Sequence, residues 1–430
     1  MLNRYFGIKP LGSTVKTEVL AGITTFLTMV YIVFVNPAIL SSAGVPFDQV
    51  FMATIIAAVT GTLIMGLFAK YPIAVAPGMG LNAYFASIVA SQGLTYQTVF
   101  GAVFCAGILF ILLSVSNLRQ IIIEAIPDTL KYGITSGIGL FIAFLGFKQS
   151  GIIVANDSTL VGLGDLTAPV TVLSIVGLFI TLLLMVRRVQ GALFFGMLIT
   201  AVIGYFFGML KFDGVASLPP APVFFEMDLA GVFTNGLYAV IFSFLLVTIF
   251  DTTGTMLAVS EQAGLLKNGK FPRAKKAFLG DSIATTVGAA FGTSPSTAYV
   301  ESSTGVAAGG RTGLTAVVVA GLFLITIFFS PIVSAISSLP AITAPILIIV
   351  GCFMMEGLSK INWSAFDDAF PAFVSILAMP LTSSISTGIA FGFITYPILK
   401  LASGNGKKVH PIIYIFGVIF LIQMIFFPAH

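Results

Sequence analysis

Charged residues are scarce in this sequence. Only 36 of the 430 residues are charged, 20 of them Lys or Arg and 16 Asp or Glu. That is 8% of the chain, against about 25% in a typical soluble domain. Hydrophobic residues make up 57%, and the mean hydropathy is +1.08. This composition excludes a soluble domain, and the alternating pattern of a membrane β-barrel is absent, so we expect an all-α polytopic membrane protein.

Cysteine and histidine are also nearly missing, with two residues of each. Cys105 and Cys352 both lie inside apolar segments, which argues against a disulfide framework. His410 and His430 lie near the end of the chain, so neither a metal site nor a bound cofactor is expected. The central apolar segments contain no histidine that could act as a general base. This disfavours a membrane-embedded hydrolase, and we expect the protein not to be an enzyme.

The apolar segments predict fourteen membrane spans of about 20 residues each. They lie at 18–40, 47–69, 73–90, 95–116, 129–147, 167–186, 190–210, 237–259, 275–292, 294–308, 312–334, 341–357, 370–402 and 411–428. The segment 370–402 is interrupted by Pro380 and by the cluster Ser383–Thr387. The sequence therefore leaves open whether this segment crosses the membrane once or turns back.

The distribution of basic residues predicts the orientation of the chain. If the N-terminus is cytoplasmic, the loops on that side carry fifteen Lys and Arg, and the opposite loops carry two, Lys148 and Lys211. The side of Lys400, Lys407 and Lys408 depends on whether the interrupted segment turns back. Because basic residues are enriched in cytoplasmic loops, we expect a multi-pass protein of the cytoplasmic membrane with its N-terminus inside. The same signal explains the pI near 9 without nucleic acid as a partner.

Two acidic residues lie inside apolar segments. Asp251 follows the uncharged run Leu237–Phe250, and Glu301 lies in the otherwise uncharged run Ser282–Gly310. An ionised acid at the centre of a bilayer costs about 2.5–3.5 kcal/mol on insertion scales. Such residues usually face the interior of a helix bundle and mark the path of a substrate or a proton. These two acids are therefore the first candidates for a functional site.

Neither acid has a basic residue in its own apolar segment. The nearest candidates, at the ends of other spans, are Lys131 and Arg311. A buried acid without a cationic partner tends to hold a proton, which suits proton coupling. A third acid, Asp281, lies close in sequence to Lys275 and Lys276, and we expect it at the membrane interface.

Two segments are poor helices for their position in apolar surroundings. Ala76–Phe85 and Thr293–Gly305 contain Pro and Gly, and the second is also rich in Ser and Thr. Polar residues recur at matching places, with Asn36 and Asn82 in the first half of the chain and the two acids in the second. Paired breaks of this kind indicate a transporter's binding site. Because each half would contain seven spans, the two halves must be inverted relative to each other.

Three motifs, read together, resemble the nucleobase:cation symporter-2 superfamily, and within it the hypoxanthine, guanine and adenine permease branch. They are Pro77–Ala83 (PGMGLNA), Phe250–Thr255 (FDTTGT) and Glu301–Gly313 (ESSTGVAAGGRTG), and the resemblance runs essentially end to end. The Asn-x-Gly signature of the uracil and xanthine branches is missing after the glutamate, where Ser302–Thr304 stands instead. We therefore do not expect uracil or xanthine as substrates.

The resemblance implies a fold of fourteen transmembrane segments arranged as two inverted seven-span repeats, with short strands in the broken spans 3 and 10. Spans 1–4 and 8–11 would form a core domain, and spans 5–7 and 12–14 a gate domain. On this division, 1–17 is a cytoplasmic N-terminus, the core domain covers 18–116 and 229–336, and the gate domain covers 117–228 and 337–430.

The resemblance also implies a function and a site. The function is uptake of purine nucleobases, guanine or hypoxanthine, by alternating access, driven by the proton gradient. Glu301, Asp251 and Asn82 would bind the substrate, and Asp251 or Glu301 would carry the proton. The residues expected to support them are Asn36, Thr252, Ser302 and Gly80. The implied partners are a purine base, a proton, the lipid bilayer and a second copy of the chain in a homodimer.

Two alternatives stay open at this point. An adenine-preferring permease of the same branch would carry the same motifs. An anion transporter or channel on the same fold would need a basic residue or an acid-free cavity at its site, and the two buried acids argue against it.

Overall fold

The computed structural model describes residues 2–116, 122, 124–212, 214–266 and 271–426. Most of these residues are helical, and among them nine helices are long and apolar enough to cross a membrane. The remaining apolar helices are shorter or belong to interrupted spans. The predicted all-α polytopic membrane architecture is confirmed.

The elements alternate between long helices and short interruptions. The helices are α1 (Leu2–Phe6), α2 (Val15–Met29), α3 (Ile32–Ser42), α4 (Phe47–Ile64), α5 (Met79–Gln92), α6 (Tyr96–Val115), α7 (Asp128–Gln149), α8 (Pro169–Val186), α9 (Ala192–Phe206), α10 (Leu229–Thr234), α11 (Tyr238–Gln262), α12 (Ala274–Phe291), α13 (Ser302–Ala307), α14 (Gly313–Thr326), α15 (Ser330–Ser337), α16 (Pro340–Phe353), α17 (Phe366–Thr382), α18 (Ile385–Ala402) and α19 (Pro411–Phe426). The strands are β1 (Val75–Pro77), β2 (Ile153–Asn156), β3 (Leu160–Leu163) and β4 (Ser296–Ala298). Shorter 3₁₀ or π turns lie at Lys9–Leu11, Met65–Ala69, Ile327–Phe329, Met354–Lys360 and Gly406–Lys408.

The two segments predicted to be broken, in spans 3 and 10, each contain a three-residue strand. β1 and β4 pair antiparallel, with Val75 opposite Ala298 and Pro77 opposite Ser296. Both strands are fully buried. The backbone N–H and C=O groups that a continuous helix would satisfy internally are thus satisfied across the pair, as a low-dielectric interior requires. This pairing joins the two halves of the chain at the centre of the molecule.

Span 1, predicted as one segment over 18–40, is divided into α2 and α3 by a turn at Tyr31. The Thr28 hydroxyl bonds to two carbonyl oxygens one turn earlier, at 3.2 and 2.8 Å. Side-chain bonding of this kind competes with the helix and often bends it. Nothing in the sequence around Tyr31 predicts this break. The Tyr31 side chain at the break lies in the interior.

The segment 370–402, whose path the sequence left open, forms two helices, α17 and α18. The chain reverses at Ser383, whose φ of 51° lies in the left-handed region. Lys400, near the end of α18, lies 3.0 Å from Asp367 and 2.9 Å from Asp368 at the start of α17. The segment therefore turns back, and Lys400 lies at the same end as the chain before α17. Of the last predicted span, 427 and 428 lie outside the described residues.

Close packing at glycine fixes the helices around span 10. A side-chain carbon at Gly313, where α14 begins, would collide with the Gly66 carbonyl oxygen. At Gly305 in α13, a side-chain carbon would collide with the Thr25 hydroxyl of α2. The helices α13 and α14 therefore lie in close contact with spans 1 and 2. This contact leaves no space for a side chain at Gly305 or Gly313.

We expect Gly313→Ala to lower the stability of the protein in detergent by about 1–3 kcal/mol, because an added methyl group in a packed interior forces the backbone apart. The measurement is the midpoint of thermal unfolding. Gly321→Ala, in the same helix, is the matched control, since nothing lies within 4 Å of a side-chain carbon there. An equal effect of the two substitutions would contradict the packing argument.

Candidate functional site

A small cleft opens beside the start of α5. Its lining residues come from two groups of helices, with Gly80, Leu81, Val247, Phe250 and Asp251 on one side and Ile134, Thr135, Ile138 and Met354 on the other. The first group belongs to the predicted core domain and the second to the predicted gate domain. Asp251 is the only charged residue among them. A side-chain carbon at Gly80 would lie 2.5 Å from Ile138 Cγ2, so glycine is needed for this close approach.

Glu301 lies directly before α13, at the end of the loop that follows β4. Its Oε1 accepts a hydrogen bond of 2.5 Å from the Tyr31 hydroxyl. Asp251 is close enough to Glu301 for the two acids to interact electrostatically, and the Thr297 side chain of β4 lies beside Asp251. The strand pair therefore brings together two acids that are separated by 50 residues in the sequence.

Neither of the basic residues nominated from the sequence neutralises these acids. The Lys131 ammonium lies 2.9 Å from Asp128 Oδ1 in its own helix. The Arg311 guanidinium donates to the carbonyl oxygens of Val306 and Gly310, at 2.5 and 2.8 Å. Within the described part of the chain no Lys or Arg forms an ion pair with either acid. The site thus offers acceptors without a fixed cation, which suits a ligand rich in N–H donors or an added proton.

The two predicted asparagines hold the turn that precedes β4. The Asn36 amide donates to Thr54 Oγ1 at 2.7 Å and to Thr293 Oγ1 at 2.8 Å. The Ser294 hydroxyl donates to the Asn82 carbonyl oxygen. Asn82 is fully buried, and its amide nitrogen has no hydrogen-bond partner among the described residues. Asn82 therefore connects span 3 to span 10, and its side-chain amide NH2 group is available as a donor.

Thr252 and Ser302 anchor the strands rather than face the cleft. The Thr252 hydroxyl donates to Asp281 Oδ2 at 2.5 Å and accepts from the Ala298 N–H at 3.4 Å. The Ser302 hydroxyl oxygen accepts from the Ala74 N–H at 3.0 Å. Both side chains satisfy backbone or carboxylate groups next to the strand pair, so they fix the positions from which the two acids extend.

Asp281 is fully buried inside the protein. The neighbouring Lys275 reaches outward, with its ammonium 3.3 Å from the Val115 carbonyl oxygen. Asp281 lies nearly two turns further along α12, on a face that packs against the interior. Its expected depth at the membrane interface stays a prediction, because burial inside the protein does not fix its depth in the membrane.

Sequence reasoning missed two tyrosines of the site. Tyr31 is 1% exposed and donates to Glu301. The Tyr299 hydroxyl donates to the Pro77 carbonyl oxygen at 2.5 Å. Tyr299 lies two residues before Glu301, inside a segment already singled out, so its position was a usable signal. Tyr31 follows a run of ordinary apolar residues, and nothing in the sequence distinguishes it from a packing residue.

Comparisons with known proteins agree with the motifs. The sequence matches the model of a family described as "Permease family" over residues 16–391. It is 60% identical to the guanine/hypoxanthine permease PbuO of Bacillus subtilis, over 97% of this chain and 99% of that protein. It is 46% identical to the adenine permease AdeP of Escherichia coli, over 100% of this chain and 97% of that protein. The predicted resemblance to purine permeases is confirmed.

A solved structure supports the fold. The chain is similar to the transmembrane domain of the cyanobacterial bicarbonate transporter BicA, with a TM-score of 0.65 and 17% identity. The similarity covers 87% of this chain and 97% of that one. At this level of identity the likeness concerns the fold alone, and it confirms the predicted fold class.

Replacing Thr252 with Val should destabilise the protein, because a fully buried carboxylate then loses its hydroxyl donor. We expect a loss of about 1–3 kcal/mol, measured by thermal unfolding. Thr248→Val is the matched control, since the buried Thr248 hydroxyl donates to the Phe244 carbonyl of its own helix. If Thr252→Val left the unfolding temperature unchanged, the anchoring role of this residue would be refuted.

Proposed function

The chain belongs to the permease family, and from this premise we propose that it imports purine nucleobases, guanine and hypoxanthine first, together with protons. The observation that carries the proposal is the pair of acids, Asp251 and Glu301, gathered by the strand pair without a neutralising cation. Purine bases present several N–H groups, and carboxylates accept hydrogen bonds from such groups strongly. A base lacking the matching N–H would leave a buried acceptor unpaired and be rejected.

The two acids take different roles in this proposal. Glu301 accepts hydrogen bonds from the base, and Asp251, which lines the cleft, carries the coupling proton. The apolar residues Phe250, Ile138 and Met354 of the same cleft offer surfaces for the faces of a planar ring. Asn82 supports the site from the turn before β4, where it bonds to Ser294.

The position of the cleft supports the division into core and gate domains. Its two walls come from the regions 18–116 and 229–336 on one side and 117–228 and 337–430 on the other. A ligand held between two such units becomes accessible from opposite sides when one unit moves relative to the other, which is alternating access. The homodimer implied by the resemblance stays a prediction.

The orientation follows from the basic residues. With the reversal at Ser383, Lys400 lies on the same side as Lys360, which follows α16. Lys400, Lys407 and Lys408, whose side the sequence left open, then lie on the side that carries most of the basic residues. This supports a cytoplasmic N-terminus in the cytoplasmic membrane.

Two alternatives have specific support. The adenine permease AdeP is 46% identical, so adenine remains a competing substrate that only transport assays rank. The fold is shared with a bicarbonate transporter, but an anion site needs positive potential, whereas the only charged residue lining the cleft is Asp251. The identity to PbuO and the two acids both favour the purine importer.

In a competition assay, unlabelled guanine should inhibit uptake of radiolabelled hypoxanthine, and uracil should not. The physical reason is that the two purines share the oxopurine ring and its ring N–H donors, so both fit one site. A protonophore should abolish accumulation above the external concentration. Strong inhibition by uracil would refute the assignment to purines.

Substitution of the two acids should separate binding from coupling. Glu301→Gln places an N–H group where the base needs an acceptor, so purine binding to the purified protein should weaken by about 1.5–3 kcal/mol. Asp251→Asn resembles the protonated acid, so this variant should still bind purine but lose accumulation driven by a proton gradient in proteoliposomes. The two measurements are equilibrium binding and gradient-driven uptake.

Exposed acids supply matched controls for the same chemical changes. Glu356→Gln and Asp157→Asn alter residues outside the cleft and should leave both measurements close to the wild-type values. Full gradient-driven accumulation by both Glu301→Gln and Asp251→Asn would show that these carboxylates do not run the transporter.

A further inference from the structure

Tyr31 is joined to the site by a single strong contact. Its side chain lies at the turn between α2 and α3 and is 1% exposed. Its hydroxyl donates to Glu301 Oε1 at 2.5 Å, which is the short distance typical of an O–H bond to a carboxylate. Among the described residues no other side chain donates to this carboxylate. The Tyr31 hydroxyl bonds to Oε1, and the carboxylate keeps further lone pairs that can accept from a ligand.

The other charged and titratable groups near Glu301 do not duplicate this contact. Asp251 and Tyr299 interact with it electrostatically, but the Tyr299 hydroxyl donates to a main-chain carbonyl. At the far end of α13, the Arg311 guanidinium donates to main-chain carbonyls. Glu18, on the packed face of α2, accepts from main-chain N–H groups there. The Tyr31 hydroxyl is thus the side-chain donor that distinguishes Glu301 from the neighbouring acids.

We propose that Tyr31 is a positioning residue for Glu301, whose hydrogen bond to Oε1 stabilises the ionised carboxylate and aims Oε2 at an N–H group of the purine. The proposal rests on the proposed function. It also explains the division of roles between the acids. Among the described residues no tyrosine hydroxyl donates to Asp251, so Asp251 is the acid that takes up the coupling proton.

The sign of the pH dependence follows from this arrangement. Binding requires ionised Glu301, so affinity falls at low pH when Glu301 is protonated. A donor that bonds to the ionised form delays this protonation to lower pH. Removing the donor must therefore move the acid limb of the binding profile to higher pH. A residue that only fills space would change affinity by the same factor at every pH.

The experiment measures hypoxanthine affinity across the acid range for purified wild type, Tyr31→Phe and Tyr71→Phe. Losing a hydrogen bond to a charged group corresponds to about a tenfold change, so Tyr31→Phe should move the acid limb up by about one pH unit. Tyr71→Phe is the matched control, because it removes the hydroxyl of a fully buried tyrosine outside the site that donates to the Pro272 carbonyl. Its acid limb should coincide with that of the wild type.

Each outcome decides the proposal. A Tyr31→Phe profile parallel to the wild-type profile, or an equal shift in Tyr71→Phe, overturns the positioning role while purine binding by the wild type leaves the proposed function intact. No purine binding by the wild type overturns the proposed function and this inference with it.

A second measurement covers the case in which Tyr31→Phe does not fold. Incorporating a fluorinated tyrosine at position 31 preserves the ring and makes its hydroxyl a stronger donor. The acid limb should then move to lower pH, opposite to the effect of losing the hydroxyl. An unchanged limb, or a shift to higher pH, overturns the proposal.

Discussion

The pairing of β1 with β4 closes the interior of the protein. A helix interrupted inside a membrane exposes backbone N–H and C=O groups that lipid cannot satisfy. Two interruptions, at Val75–Pro77 and Ser296–Ala298, satisfy each other. The flanking contacts extend this solution, since Tyr299 N–H bonds to the Ala74 carbonyl and Gly78 N–H to the Pro295 carbonyl. Because both strands are needed, neither half of the chain can complete its own interior alone.

The same pairing explains why the acids can be tolerated. Glu301 follows the loop after β4. Asp251 lies on α11, where the next residue, Thr252, accepts a hydrogen bond from the Ala298 N–H of β4. The Tyr31 hydroxyl donates to Glu301 in place of a cation, and the Thr297 side chain lies beside Asp251. Hydroxyl donors stabilise a carboxylate while leaving the net charge of the site negative. A proton or a donor-rich ligand therefore completes the site electrostatically, which a fixed salt bridge would prevent.

The sequence predicted the features that arise where a residue type is unusual for its apolar surroundings. Asp251 and Glu301 were identified because charge in apolar surroundings is rare, and the broken spans because Pro and Gly disrupt helices. The sequence left the reversal at Ser383 open, because Pro380 and the cluster Ser383–Thr387 interrupt a helix without showing in which direction the chain continues. Tyr31, the break in span 1 and the burial of Asp281 could not be predicted. They depend on which helix faces which, and a tyrosine in an apolar run or an acid near two lysines has the same local pattern in either environment.

The wall of the cleft opposite Gly80 offers almost no directional contacts. Ile134, Ile138 and Met354 have side chains without strong hydrogen-bonding groups, and Thr135 lies beside them. A displacement of the two predicted domains along this wall would break no directional bond, and the contact energy would change gradually, in many small dispersion steps. The fit of the side chains would then set the resistance to such a displacement, whereas the buried hydroxyls and acids are held by directional bonds.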